Sequence, residues 1–112
     1  MSRAKGSQAE SEACAYLEGL GFEIIERNFF ARYGEIDIIA KRANLLHFIE
    51  VKSGIGFEPV FNITPAKIAK VQKAVRIYLA KYPSRLPYCI DALIVRYGEQ
   101  IEFELLENIT QG

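Results

Sequence analysis

The sequence predicts an α/β fold in which two helices cover one mixed β-sheet. Two segments, 7–20 and 65–82, repeat apolar residues at helical spacing, and five others are rich in β-branched and aromatic residues. The predicted element order is α-β-β-β-α-β-β. Because the second helix separates the third and fourth strands, we expect it to be a crossover between neighbouring parallel strands.

The first helix is predicted over residues 7–20. Ser7 suits the N-cap position, and Gly21 suits the position that ends a helix. Its apolar face comprises Ala9, Ala13, Tyr16, Leu17 and Leu20.

Three strands follow, at 22–27, 35–40 and 45–52. The Ala43-Asn44 pair suits a short hairpin connection between the second and third strands. A hairpin centred on this pair places Asp37 opposite Glu50.

The second helix is predicted over residues 65–82, with Thr64 as its cap, Pro65 in its first turn and Pro83 preventing its continuation. Strands at 88–96 and 101–106 then flank a turn at Gly98. We expect residues 1–112 to form a single domain with frayed ends at 1–6 and 107–112.

Composition excludes several classes of protein. The chain has 112 residues and is 50% hydrophobic, which argues against disorder. Its 14 basic and 14 acidic residues cancel, which argues against binding to polyanions by bulk charge alone. However, residues 59–98 carry seven basic residues and one acidic residue, Asp91, so the charge is unevenly placed.

No secretory signal or membrane-spanning segment is apparent in the sequence. Cys14 and Cys89 lie far apart and among apolar neighbours, so we expect two reduced, buried thiols. These features predict a cytoplasmic protein. His47 alternates with Phe48 and is expected to be an ordinary strand residue that points away from the face of Glu50.

Asp37, Glu50 and Lys52 are the most informative residues. Glu50 and Lys52 share one face of the third predicted strand, following the apolar Leu46 and Phe48. Two carboxylates placed opposite each other repel, and a divalent cation between them removes the conflict. Oxygen ligands favour Mg²⁺ or Mn²⁺. The alternative is that Glu50 and Lys52 are solvated edge residues and that Asp37 pairs with a base.

A set of motifs spans most of the chain. It comprises Gly6, Ala9, Glu10, Ala13 and Leu17; Gly21-Phe22; Arg27-Asn28; Gly34-Glu35-Ile36-Asp37-Ile38-Ile39-Ala40; Phe48-Ile49-Glu50-Val51-Lys52; Lys67; and Asp91. This set resembles the YraN-like family, small and largely uncharacterised bacterial proteins within the PD-(D/E)xK superfamily of nucleases. The resemblance implies a restriction-endonuclease-like, or Holliday-junction-resolvase-like, core.

The resemblance also implies site roles. Asp37 and Glu50 would hold Mg²⁺ or Mn²⁺, with the Val51 carbonyl as a further ligand, and Lys52 would orient water or stabilise the transition state. Glu10 would complete the acidic cluster, directly or through water. Glu10 has an alternative role, because Ser7-Gln8-Ala9-Glu10 also fits a capping box.

Candidate phosphate contacts lie on the second helix. Lys67, Lys70 and Lys73 have no acidic neighbours there, and one-sign helices suit phosphate contacts, although a solvated surface would also explain them. The family often carries arginines at the positions of Phe30 and Gly54, and Arg32 is a candidate to replace them in part.

We therefore expect a divalent-metal-dependent endonuclease that acts on nucleic acid, DNA rather than RNA, with branched or structured DNA as the expected form. A homodimer is expected from the resemblance, because one site of this kind cuts one strand. The alternative is a catalytically silent module that binds nucleic acid or protein.

Overall fold

The element order matches the sequence prediction. The structure is a computed structural model that describes residues 2–32, 34–55 and 63–110, with side chains from Gln8 onwards. Its elements are α1 (Ser2–Gly19), β1 (Glu23–Ala31), β2 (Gly34–Arg42), β3 (Leu45–Ile55), α2 (Pro65–Lys81), β4 (Tyr88–Tyr97) and β5 (Glu102–Leu106).

The five strands form one mixed sheet in the order β1-β2-β3-β4-β5. Neighbouring strands are antiparallel except β3 and β4, which are parallel and joined by α2. The α/β class and the crossover are therefore confirmed. Glu50 and Lys52, in the middle of β3, lie beside the central part of β4.

The two helices pack into two separate cores. On one side, α2 contributes Val71, Ala74, Val75 and Tyr78 to a core that includes Phe48. The other core contains three residues of α1 (Ala13, Cys14 and Leu17) together with Ile38, Ile49 and Leu93 from the strands. Because β3 contributes to both cores, it is fixed from both sides.

The first helix begins five residues earlier than the sequence predicts. It starts at Ser2, so Ser7 lies inside the helix and is not its N-cap. The capping-box pattern was misleading because Arg3, Ala4 and Lys5 favour helix and continue it toward the amino terminus.

Gly21 terminates the first helix, as expected, two residues after the last residue of α1. It has a φ of 93°, which favours glycine, and its amide donates to the Glu18 carbonyl at 3.0 Å. The Phe22 amide donates to the Leu17 carbonyl at 3.0 Å, which completes a Schellman motif. Phe22 and Leu17 also meet in the core, so this turn fixes how the chain enters β1.

The β2–β3 hairpin has the predicted register. Ala43 and Asn44 connect the strands with φ values of 52° and 60°, the positive values that a type I′ turn requires. Arg42 pairs with Leu45, and the ladder continues to the pair Ile38–Ile49. Asp37 and Glu50 are next in this register, and no pair between them continues the ladder.

β1 is longer than the predicted strand 22–27, because pairing with β2 continues past Asn28 to Ala31. Asn28 has a φ of 56°, an uncommon value that asparagine tolerates better than most residues. It lies between the paired residues Arg27 and Phe29, across from Asp37. A local departure from strand geometry therefore lies on the strand next to Asp37.

The start of α2 is as predicted. The Lys67 amide donates to the Thr64 hydroxyl at 3.3 Å, and Pro65 occupies the first turn. The helix ends at Lys81, one residue before the predicted end, and Tyr82 is its C-cap.

Residues near both ends of the described chain take part in its secondary structure and hydrogen bonds. Residues 2–6 belong to α1. The Ile109 amide donates to the Ile90 carbonyl at 2.8 Å, and the Asn108 amide donates to the Asp91 carboxylate at 2.9 Å. In the described part of the chain, no helix is long and apolar enough to cross a membrane.

Replacing Gly21 by alanine tests the role of this turn. Because the left-handed conformation costs an L-residue about 1–2 kcal/mol, we expect Gly21→Ala to lower the free energy of unfolding by about that amount. Urea unfolding measures the change.

Gly19→Ala is the matched control, since Gly19 is helical and an added Cβ meets nothing within 4 Å. It should leave stability unchanged or raise it by up to about 1 kcal/mol. Equal destabilisation by the two substitutions would contradict this interpretation.

Candidate active site

Asp37 lies where the β2–β3 ladder ends. Its Oδ2 accepts a hydrogen bond from the Val51 amide at 2.7 Å, so a side chain joins the strands beyond their last backbone pair. β2 also changes its alternation here: Ile36 and Ile39 reach the α2-side core, whereas Ile38 and Ala40 reach the α1-side core. The backbone thus places the Asp37 carboxyl group between the two strands.

Burial and neighbouring acids raise the pKa of Asp37 to about 8. The side chain is 5% exposed, and desolvation is the largest cause of the rise. The charge of Glu50 raises the pKa further, with smaller contributions from Glu10 and Glu35, while the Val51 hydrogen bond lowers it. The structure thus brings Asp37 close to other carboxylates at a site where its own negative charge is unfavourable.

Glu50 and Lys52 share the face that the sequence predicts. Both line a shallow pocket with Lys67, Ile68 and Val71 of α2. The Lys52 ammonium lies 3.3 Å from a Glu50 oxygen, and their side chains are 23% and 18% exposed. These exposures do not fit the alternative of solvated edge residues. The charged groups that shift the pKa of Asp37 are carboxylates, so the alternative of a basic partner also finds no support.

Glu10 is brought from α1 toward Asp37, close enough for its charge to raise the pKa of Asp37. The capping-box alternative is wrong because Ser7, its proposed cap, lies inside the helix. Glu10, Asp37 and Glu50 do not converge as closely as the three side chains of a second cluster described below. Glu10 therefore adds negative charge at the edge of the site.

The predicted phosphate-binding residues lie on α2 and in the β1–β2 turn beside it. Lys67 lines the pocket of Glu50 and Lys52. Lys70 lies one turn further along α2, where its carbonyl would be 3.2 Å from a Cβ added to Gly34. This contact brings α2 next to the β1–β2 turn that contains the exposed Arg32. Lys73 is exposed on the next turn of α2.

A buried cluster that the sequence did not predict lies on the opposite face of β3. His47 does point away from Glu50, as predicted, but it is not an ordinary strand residue. Its Nδ1 lies 2.5 Å from Asp91 Oδ2 and 3.2 Å from Cys89 Sγ. Both cysteines are free and buried, as predicted. Burial and the Asp91 carboxylate raise the pKa of Cys89 to about 12, so it is a thiol at neutral pH.

The arrangement around Asp37 can hold a hard divalent cation. Asp37 and Glu50 supply carboxylate oxygens, and the Val51 carbonyl is adjacent in the chain. A cation fits these residues because folding buries the Asp37 carboxyl group where the charge of Glu50 raises its pKa, and a cation would offset both costs.

The raised pKa of Asp37 predicts a specific pH dependence of stability without divalent cations. Folding favours the protonated form, so the contribution of Asp37 to stability is full below about pH 4 and falls as the pH rises through about 8. Asp37→Asn should therefore be more stable than the parent protein at pH 8 and similar to it near pH 4. Thermal unfolding in chelator across this range measures the difference.

Glu99→Gln, at an exposed position between β4 and β5, is the control and should show no such pH-dependent gain. A constant difference between Asp37→Asn and the parent protein from pH 4 to pH 8 would contradict the burial argument.

Comparison with known proteins identifies the relatives of this chain. This chain is 61% identical over 109 residues to a UPF0102 protein of Helicobacter hepaticus, and the match covers 97% of this chain and 96% of the relative. It is 57% identical over 108 residues to a UPF0102 protein of Helicobacter pylori, covering 96% and 92%. A UPF0102 protein of Wolinella succinogenes is 52% identical over 110 residues, covering 98% and 99%. Residues 9–95 match the model of the uncharacterised protein family UPF0102, and the chain belongs to that family.

Proposed function

We propose that this protein is a divalent-metal-dependent endonuclease that hydrolyses phosphodiesters in nucleic acid. The observation that carries the proposal is the buried Asp37 carboxyl group, which is hydrogen-bonded to the Val51 amide and whose pKa is raised by burial and by the charge of Glu50. Lys52 lies beside Glu50 at 3.3 Å. Two acids and a lysine at the point where β2 and β3 stop pairing are the groups that metal-assisted hydrolysis requires.

Asp37 and Glu50 would hold Mg²⁺ or Mn²⁺, with the Val51 carbonyl as a further ligand. When bound, such a cation lowers the pKa of water and offsets the charge that develops on the phosphate. The protein contributes a desolvated position for Asp37 and a hydrogen bond that fixes its orientation. Glu10 adds negative charge at the edge of this position and thereby strengthens its preference for a cation.

Lys52 is the group best placed to act on the substrate. Its ammonium lies 3.3 Å from Glu50, and both side chains line a pocket that Lys67 also lines. An ammonium at this position stabilises negative charge on a phosphate oxygen and orients a water molecule by donating hydrogen bonds. Glu50 thus has a second role in this proposal, because it positions Lys52 as well as holding the cation.

The phosphate backbone of the substrate would run along α2. Lys67 starts this path beside Glu50 and Lys52, and Lys70 and Lys73 continue it on successive turns. Arg32 lies in the β1–β2 turn, next to the part of α2 around Lys70. Contacts of this kind position a nucleic acid without reading its sequence.

The sequence resemblance to the YraN-like family and the PD-(D/E)xK superfamily supports the same function. It favours DNA over RNA and a homodimer, and we propose in addition that the substrate is structured or branched DNA and that the protein is cytoplasmic. Phe30 and Gly54 stand where the family often has arginine, so fewer phosphate contacts are expected. A catalytically silent binding module on the same fold is the alternative, and the experiments below separate the two.

Cleavage assays test the proposal directly. Purified protein with Mg²⁺ or Mn²⁺ is incubated with labelled single-stranded, duplex, flap and four-way-junction DNA. We expect cleavage of at least one structured substrate, and a loss of about 100-fold or more in Glu50→Gln and Lys52→Met. Glu99→Gln is the matched control and should cut at the parental rate.

Equal cleavage by the parent protein and Glu50→Gln would show that the activity does not come from this site. No cleavage by the parent protein of any substrate, together with DNA binding, would favour the silent binding module.

Salt dependence tests the path along α2. Because each phosphate contact releases counterions, Lys67→Ala should weaken DNA binding and reduce the slope of log affinity against log salt by about one. Fluorescence anisotropy at several salt concentrations measures both quantities. Lys81→Ala is the matched control on the same helix, about 21 Å further along its axis, and should leave the slope unchanged. Equal slopes for all three proteins would contradict the proposed path.

A further inference from the structure

Three side chains that bind transition metals meet in the core on the face of the sheet opposite Glu50. His47, Cys89 and Asp91 are 2%, 8% and 0% exposed. Their ligand atoms all lie within 4.8 Å of one another, and in the described part of the chain no other three such side chains converge as closely.

The backbone register, rather than side-chain conformation alone, brings this trio together. His47 on β3 is the direct neighbour of Cys89 on the parallel strand β4. Asp91 is two residues beyond Cys89 and therefore projects from the same face of β4. The Phe22 ring packs edge-on against His47 with 4.8 Å between ring centroids, and this contact orients the imidazole.

We propose that His47, Cys89 and Asp91 form a Zn²⁺ site that is separate from the candidate active site. One thiolate, one imidazole nitrogen and one carboxylate oxygen are the ligand types that zinc takes in proteins, whereas Mg²⁺ takes oxygen. A three-ligand set leaves the fourth tetrahedral position to a water molecule.

The distances within the trio suit a metal after small movements. The Cys89 Sγ lies 3.2 Å from both His47 Nδ1 and Asp91 Oδ1, and His47 Nδ1 lies 2.5 Å from Asp91 Oδ2. Ligand atoms about 2.0–2.3 Å from a tetrahedral zinc ion are about 3.3–3.8 Å apart. The Cys89 contacts are already close to this separation, and the His47–Asp91 contact has to open by about 1 Å.

Proton balance distinguishes a zinc site from a hydrogen-bonded cluster. Without metal, the Cys89 thiol donates to Asp91 Oδ1. Binding of Zn²⁺ breaks the S–H bond, forms a Zn–S bond and releases that proton to solvent, with no change of oxidation state. His47 binds through Nδ1 in the tautomer that carries the ring proton on Nε2, so a proton that Nδ1 donates to Asp91 without metal shifts to Nε2.

The zinc site would also restrain the backbone at Asn108 and Ile109. Asp91 Oδ1 accepts the Asn108 amide at 2.9 Å, and the next residue, Ile109, lines the pocket of Glu50, Lys52 and Lys67. A metal that immobilises Asp91 therefore stabilises the segment that borders this pocket.

Cobalt substitution tests the proposal without relying on any activity. The reduced, metal-free protein is titrated with Co²⁺ and then with Zn²⁺. We expect one Co²⁺ per chain, a thiolate-to-cobalt charge-transfer band, the intense visible bands of tetrahedral cobalt, and loss of both when Zn²⁺ displaces Co²⁺. The thermal midpoint should rise with Zn²⁺, because a metal that binds the folded state stabilises it.

Cys14→Ser is the matched control, since Cys14 is the other buried free cysteine and lies in the core beside α1. It should keep the charge-transfer band, whereas Cys89→Ser and His47→Gln should lose it. Glu50→Gln should keep it too, which separates this site from the candidate active site.

A parent protein that shows no thiolate band overturns the proposal even if Cys89→Ser fails to fold. A band that survives in folded Cys89→Ser, or that disappears in folded Cys14→Ser, identifies an adventitious ion and also overturns it.

Discussion

The hydrogen bond from the Val51 amide to the Asp37 carboxyl group is the interaction on which the candidate active site depends. It forms at 2.7 Å just beyond Ile38–Ile49, the last backbone pair between β2 and β3. An aspartate that replaces a ladder bond is held in place by the sheet itself. The same position removes its carboxyl group from water and sets it near Glu50. The fold therefore imposes a repulsion between two carboxylates, which a cation would relieve.

β3 links the two chemically distinct regions of the molecule. Glu50 and Lys52 project toward α2, where Lys67 joins them, whereas His47 projects into the opposite side and meets Cys89 and Asp91. Alternation along one buried strand keeps the two sets apart. The parallel pairing of β3 with β4 is required for both, since β4 supplies two members of the trio and Ile90 of the pocket.

Local sequence patterns were sufficient to predict the elements and the hairpin that carries Asp37 and Glu50. The two-residue connection at Ala43-Asn44 determines the register, so the approach of residues 37 and 50 follows from counting. The start of α1 could not be located this way, because a capping pattern at Ser7–Glu10, preceded by Gly6, competes with the helix-forming Arg3, Ala4 and Lys5.

Local sequence patterns could not predict the His47–Cys89–Asp91 cluster. His47 and Cys89 are 42 residues apart, and they become neighbours only through the crossover in α2, whose register the local pattern does not specify. Similarly, Lys67 was a candidate because it follows β3 closely in the sequence, but only the packing of α2 on the sheet brings it into the pocket of Glu50 and Lys52.

The central claim is that Asp37 and Glu50 form a site for a hard divalent cation. Isothermal titration of the metal-free protein with Mn²⁺ tests it most directly, with Asp37→Asn, Glu50→Gln and Glu99→Gln measured in parallel. This account predicts one Mn²⁺ per chain in the parent protein and in Glu99→Gln, and a large loss of affinity in the two site variants. Absence of Mn²⁺ binding to the parent protein, or equal affinity in all four proteins, would contradict it.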